Sequence, residues 1–171
     1  MVVPQGVGLV EQGETTALRA HWQAAGENMT PGTAQTYLEP TQESGRAFFS
    51  RGITGSVVVL NLLRFRVTAD YSASPELAPP APITGEEAYR LYMEHAFPHL
   101  ERSGGKLAFF GRGGKFLIGP SDERWGAAML VRQESAAAFL AFASDRDYMA
   151  GIGHRIAALE DSRLLPLIEG A

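Results

Sequence analysis

From Val57 to Phe65 the chain reads VVVLNLLRF, an apolar run interrupted by one amide, Asn61, and one guanidinium, Arg64. Its β-branched start and the preceding Gly55 predict a strand buried on both faces. Side chains alternate along a strand. Asn61 therefore shares a face with Val59, Leu63 and Phe65, and Arg64 lies with Val58, Leu60 and Leu62. Each polar group needs a partner or a cavity, because an unpaired buried amide costs roughly 1 to 3 kcal/mol and a charge more.

Further along, Thr84 and Glu87 form a capping-box signature, and Ala88, Leu91, Tyr92, His95, Ala96 and His99 recur at helical spacing. They predict a helix over 85–102, kinked by Pro98 and ended by Gly104 and Gly105. KLAFFG and KFLIG flank Arg112-Gly113-Gly114 as the arms of a hairpin, and RWGAAMLVR follows, giving two or three antiparallel strands. Apolar stripes predict helices over 134–143 and 147–160. SRLLPLIE closes the chain as a strand whose Pro166 demands an edge or unpaired position.

Before the opening strand, a short helix begins near Pro40 or Thr41, anchored by Phe48 and Phe49. The stretch 68–82 holds four prolines, which points to a long irregular loop, a lid or an arm. In order, the elements are strand, helix, two-strand unit, helix, strand. This is an α+β, ferredoxin-like split βαβ arrangement, an antiparallel sheet with helices on one face. The second sheet face is also dry, so a homodimer joined sheet to sheet is expected. Residues 1–36 form an N-terminal extension with one helix, marked by Leu18, Trp22 and Ala25, and residues 37–171 form the domain.

Composition narrows the function classes. The 171 residues are 45% hydrophobic, enough for one core, and 15 Lys plus Arg against 19 Asp plus Glu give a net charge of -4. No cationic block suits a phosphate backbone, so nucleic acid is not an expected partner. The absence of cysteine removes thiolate chemistry and cysteine-bound metals and fits a cytoplasmic protein. No window reaches the roughly 18 apolar residues of a membrane helix, and no export signal opens the chain. A soluble protein without membrane contact is expected.

Several strings then coincide in order with one family: VVVLNLLRF, EEAYRLYMEHAFPHLERSGG, ERW, AAAFL and DRDYMAGIGHRIAALEDSRLLP. Over 37–168 the chain resembles the dimeric α/β-barrel proteins grouped as domain of unknown function 1330. The resemblance implies a ferredoxin-like protomer and a dimer joined through its sheets into a barrel, with no settled activity. Where that family is expected to carry an acidic residue after the tryptophan, Gly126 follows Trp125.

Asn61 is the leading ligand-binding candidate, since one amide in a dry strand can orient a carbonyl or hydroxyl through both donor and acceptor. Arg64 can clamp a carboxylate past the sheet edge, although pairing within the protein is the commoner use of such a group. Phe65 shares the Asn61 face, and Trp125 is among the aromatics available to line a cavity. His95 and His99 have the spacing of a helical metal pair, but Pro98 distorts their turn and no third ligand is evident, so no metal is expected. His95 and Tyr92 are instead candidate catalytic residues at a pocket wall, His95 as proton carrier. His154 and Arg155 form a second candidate ligand-binding pair, about a hundred degrees apart on one helix; for Arg155 the structural task of fixing Asp161 or the sheet edge ranks above ligand binding. Gly111 to Lys115 lacks the spacing and following helix of a phosphate loop.

The residues do not name a reaction. They suggest a small apolar pocket oriented by Asn61, with cofactor-free proton-transfer or oxygenase-type chemistry on a small carbonyl or aromatic compound. Two alternatives are a non-catalytic dimer that binds a small metabolite and a haem-binding protein. No cofactor is otherwise called for.

Overall fold

The computed structural model describes residues 36–168. The helix expected within residues 1–36 lies outside the described residues.

Thr41 starts α1 (Gln42–Ser50): its Oγ1 accepts from the Ser44 amide at 3.1 Å, and Ser44 Oγ accepts from the Thr41 amide at 3.0 Å. None of its residues is buried. Phe48 meets Phe139 edge-on at 5.8 Å and Phe49 remains 41% exposed, so the two rings anchor the helix less than their pairing in sequence implies. β1 spans Val57–Phe65, and Val57, Val59, Asn61 and Leu63 alternate with less buried neighbours. A capping box then opens α2 (Gly85–Arg102). Thr84 Oγ1 accepts from Glu87 N at 3.2 Å, and Glu87 Oε2 accepts from Thr84 N at 2.8 Å. The helix continues through Pro98 and ends before Gly104, whose φ of 77° turns the chain.

β2 (Lys106–Arg112) and β3 (Ala127–Gln133) follow, then α3 (Ala136–Ala143), α4 (Arg146–Met149), α5 (Ile152–Ala158) and β4 (Leu159–Ile168). The sheet order is β2-β3-β1-β4 with antiparallel neighbours, which is the ferredoxin-like arrangement. Pro166 sits on the edge strand, where its missing N–H is tolerated.

Two expectations need correction. KFLIG is not a hairpin arm: β2 pairs with β3, and the intervening segment forms an isolated bridge, Lys115–Arg124, rather than a strand. Leu117 and Ile118 are almost fully exposed, so the segment has no apolar layer to join as a strand. The helix over 147–160 is also divided. At Gly151 the His95 ring packs so close that a Cβ would overlap it, and a short helix resumes at Ile152. Residues 159 and 160 are extended, because Leu159 pairs with Phe65 at the start of β4.

The proline-rich segment folds back as a strap. Ala69 N donates to Ile83 O at 2.9 Å and Asp70 N to Ala157 O at 2.9 Å. Leu63, Ala88, Tyr89, Tyr92, Met129 and Leu159 form the core between the sheet and α2. On the opposite sheet face, register aligns Leu60 with Leu130 and Leu165, and Leu130 with Phe109. Among the described residues this face carries no helix, and Phe109 and Leu165 are each more than half exposed. No helix among the described residues is long and apolar enough to cross a membrane.

Candidate functional site

The helix-covered face of the sheet does not fill completely. A cavity of about 610 Å³ lies between it and the helices, floored by Val59 and Asn61 of β1 and Met129, Val131 and Gln133 of β3. Tyr92, Met93, Ala96 and Leu100 of α2 form one wall, and Phe139, Phe142, Tyr148 and Ile152 another. Tyr37 to Pro40, leading into α1, and Ser162 to Leu164 of β4 close the remaining side. The volume is that of a site for a drug-sized or smaller molecule.

Asn61 is buried in this floor, and its Nδ2 donates to Val59 O of its own strand at 3.0 Å. No described residue donates a hydrogen bond to its Oδ1, so the acceptor half of the amide is left for whatever occupies the cavity. Tyr92 brings its hydroxyl within 2.9 Å of the Tyr148 hydroxyl. Burial, reinforced by the neighbouring tyrosines, pushes the Tyr148 phenol well above its ordinary range. It is therefore a neutral O–H at physiological pH, able to donate a hydrogen bond or proton and unsuited to act as a phenolate base.

The polar corner beside Asn61 is occupied by structural bonds. Arg155 Nη1 donates to Leu38 O at 2.5 Å and Nη2 to Ser162 Oγ at 3.1 Å. Asp161 Oδ1 accepts from the Tyr37 amide at 2.8 Å, the Ser162 amide at 2.9 Å and Arg163 Nη1 at 2.6 Å. Burial alone would raise the Asp161 carboxyl; the Arg163 hydrogen bond and the Tyr37 amide, helped by the charge of Arg163, outweigh it and hold the group below the usual carboxylate range. Arg155 thus ties the segment before α1 to the edge strand while also lining the cavity.

The sequence candidates separate in space. Asn61, Tyr92 and Arg155 meet at the cavity. Arg64, Phe65 and Trp125 do not; they line a second recess of about 290 Å³ with Gly113, Arg124 and Gly126. There Arg64 Nε donates to Arg124 O at 3.2 Å, and its guanidinium stands 4.9 Å from the Trp125 ring centre. The Trp125 indole N–H donates to Glu123 Oε1 at 3.0 Å, so a carboxylate does adjoin the tryptophan, from the preceding side.

His95 is absent from the cavity wall. Its Nε2 donates to the carbonyls of Asp147 and Tyr148 at 2.9 and 3.1 Å, which positions the turn carrying Tyr148. His154 points elsewhere again, its Nδ1 within 2.8 Å of the Tyr71 hydroxyl on the proline-rich strap. Burial, with the nearby His95, lowers its pKa and favours the neutral ring, whose tautomer decides whether Nδ1 accepts from or donates to the Tyr71 hydroxyl. The two members of the His154 and Arg155 pair therefore serve different partners, as their angular separation on one helix requires. Among the described residues no group of three or more His, Asp or Glu side chains is arranged to hold a metal ion.

Tyr148 and Gln133 are the site residues that sequence reasoning missed. Tyr148 belongs to an apolar helical stripe and reads as core. Gln133 ends a strand, where an amide ordinarily meets solvent, yet it is fully buried. Only the three-dimensional packing separates it from a surface glutamine.

Among solved structures, the chain is similar to two of the RPA0582 protein. One, of the methylated protein, is 35% identical with a TM-score of 0.72 and covers 81% of this chain and 98% of that one. The other, described as a protein of unknown function from Rhodopseudomonas palustris, is 37% identical with a TM-score of 0.67 and covers 78% and 96%. A more distant likeness, 11% identical with a TM-score of 0.41 over 69% of this chain and all of the other, is to a dabb family protein with a ferredoxin-like fold from Mesorhizobium loti. No protein-family profile matches the chain, so the likeness to the domain of unknown function 1330 group rests on the strings quoted above. No curated protein matches it. The close agreement in sequence and fold over nearly the whole length of the RPA0582 protein places this chain in that protein's family.

Proposed function

We propose that the protein binds a small, largely apolar compound bearing a carbonyl or hydroxyl group in the cavity between sheet and helices. The observation that carries this reading is Asn61: a buried amide on the cavity floor among Val59, Met129 and Val131, bonded through Nδ2 to its own strand and with no hydrogen bond from a described residue to its Oδ1. Buried amides are ordinarily satisfied, and here a ligand hydroxyl or N–H completes the set. The aromatic and aliphatic walls supply affinity, and the Asn61 amide supplies orientation.

A second reading, cofactor-free proton transfer on the bound compound, is favoured by the Tyr92–Tyr148 hydroxyl pair. A neutral phenol at the wall can stabilise negative charge developing on a ligand oxygen. Tyr92 then contacts the ligand, and His95 acts as a positioning residue through the Tyr148 carbonyl. A haem ligated by histidine is less well supported, because neither His95 nor His154 lines the cavity.

The working unit we propose is a homodimer joined through the helix-free sheet face. Leu60, Leu62, Leu130, Leu165 and Phe109 form an apolar surface there, of the kind a second sheet covers.

Thermal unfolding of wild type and Asn61→Ala against a panel of small phenols and hydroxyketones tests the site. A ligand-induced rise in Tm that shrinks in Asn61→Ala is the expected result. If one of the compounds is turned over, Asn61→Ala abolishes that turnover under the enzyme reading.

A further inference from the structure

The recess of about 290 Å³ shares no lining residue with the Asn61 cavity. It lies where β1 ends and the segment before β3 arrives, and backbone bonds fix its frame. Gly113 N donates to Gly126 O at 3.0 Å, Trp125 N to Gly114 O at 2.9 Å and Gly126 N to Leu63 O at 2.8 Å. A Cβ at Gly113 would overlap the Trp125 carbonyl and one at Gly126 the Phe65 ring, whereas Gly114 faces open space. The three glycines thus give the recess a wall without side chains.

Arg64 is held there twice, by the bond from its Nε to Arg124 O at 3.2 Å and by the Trp125 ring 4.9 Å from its guanidinium. Both of its Nη groups remain without a hydrogen bond or ion pair to any described residue. Two parallel N–H groups at the end of a fixed guanidinium match the two oxygens of a carboxylate. Arg124, an exposed cation with no ion pair among the described residues, lines the same recess. The nearby carboxylates are already engaged. Glu123 accepts from the Trp125 indole at 3.0 Å, and Asp161, opposite Arg64 in the sheet register, accepts from Arg163 at 2.6 Å.

The rest of the lining is apolar: Phe65, Val67 and Trp125. Cations beside apolar surface suit an anion carried on an apolar body better than a bare inorganic ion.

We propose that this recess is a second ligand site, for a small organic carboxylate gripped by the free edge of the Arg64 guanidinium, with Arg124 beside it and its apolar body against Phe65 and Trp125. The site stands independently of the Asn61 cavity.

Trp125 reports on it directly. The chain's other tryptophan is Trp22, so Trp22→Phe leaves one emitter, whose fluorescence is followed in titrations with phenylacetate, 2-phenylacetamide and inorganic phosphate. Phenylacetate should change the emission saturably and bind about tenfold more tightly than the amide or phosphate, the worth of a charge-assisted fork. Arg64→Lys, which keeps the charge and loses the fork, should weaken phenylacetate about tenfold. Arg124→Gln at the surface should weaken it about threefold, and Asn61→Ala should leave it unchanged. The comparison of acid with amide needs neither arginine variant, so it stands even if Arg64→Lys unfolds. Equal binding of acid and amide, phosphate binding as tight as phenylacetate, no saturable change, or a response lost in Asn61→Ala instead of the arginine variants would each overturn the proposal.

Discussion

The hydroxyls of Tyr92 and Tyr148 lie 2.9 Å apart in the cavity wall, each satisfying the other in a buried setting. Replacing either by phenylalanine strands its partner, at a cost of roughly 1 to 2 kcal/mol. The double variant removes both hydroxyls together and should cost less than the sum of the singles. Urea denaturation of the four proteins in this cycle measures the coupling, and additive losses would show that the hydroxyls do not depend on each other.

Arg155 joins three parts of the chain through Leu38 O, Ser162 Oγ and its own helix. Arg155→Ala should destabilise the protein by about 2 to 4 kcal/mol, leaving two acceptors without their donor. Arg155→Lys should recover little, since a single ammonium does not reproduce the fork of the guanidinium. Hydrogen exchange should show loss of protection concentrated at β4 near Ser162 in both variants.

Acid should weaken the protein in two stages. The folded state lowers the His154 pKa, so the unfolded chain binds the proton more readily and stability falls as pH drops below about 6.5. Asp161 is also held low, so its contribution is present above about 4 and is lost as pH falls through its folded value. His154→Gln should flatten the first stage and Asp161→Asn the second, each read from Tm against pH. A first stage that survives in His154→Gln would assign it to another group.

The elements were most legible where local chemistry and tertiary burial agree. Val57–Phe65 has no polar alternative to a central strand, and Thr84 with Glu87 fixes the start of α2 through its own hydrogen bonds. KFLIG misleads because an apolar run carries no information about whether a sheet edge is available to receive it. The helix over 147–160 misleads because its break at Gly151 is made by a ring from α2, His95, remote in sequence. The same holds for the site. Asn61 stood out against its apolar neighbours, but the spread of His95, His154, Trp125 and Phe65 away from the cavity depends on side-chain partners that spacing does not encode.

Charge placed on the helix-free sheet face should break the proposed homodimer without disturbing the fold. Leu60→Asp is expected to give a monomeric mass in light scattering at micromolar concentration, where wild type gives twice that mass. A monomeric wild type would remove the homodimer.

The most direct test of the cavity is a crystal structure of the protein grown with 4-ethylphenol. Difference density is expected over the floor at Asn61, with the ligand hydroxyl within hydrogen-bond distance of the Asn61 amide oxygen. Density confined to the outer surface, with the cavity unoccupied at saturating ligand, would contradict a binding role for the space above Asn61.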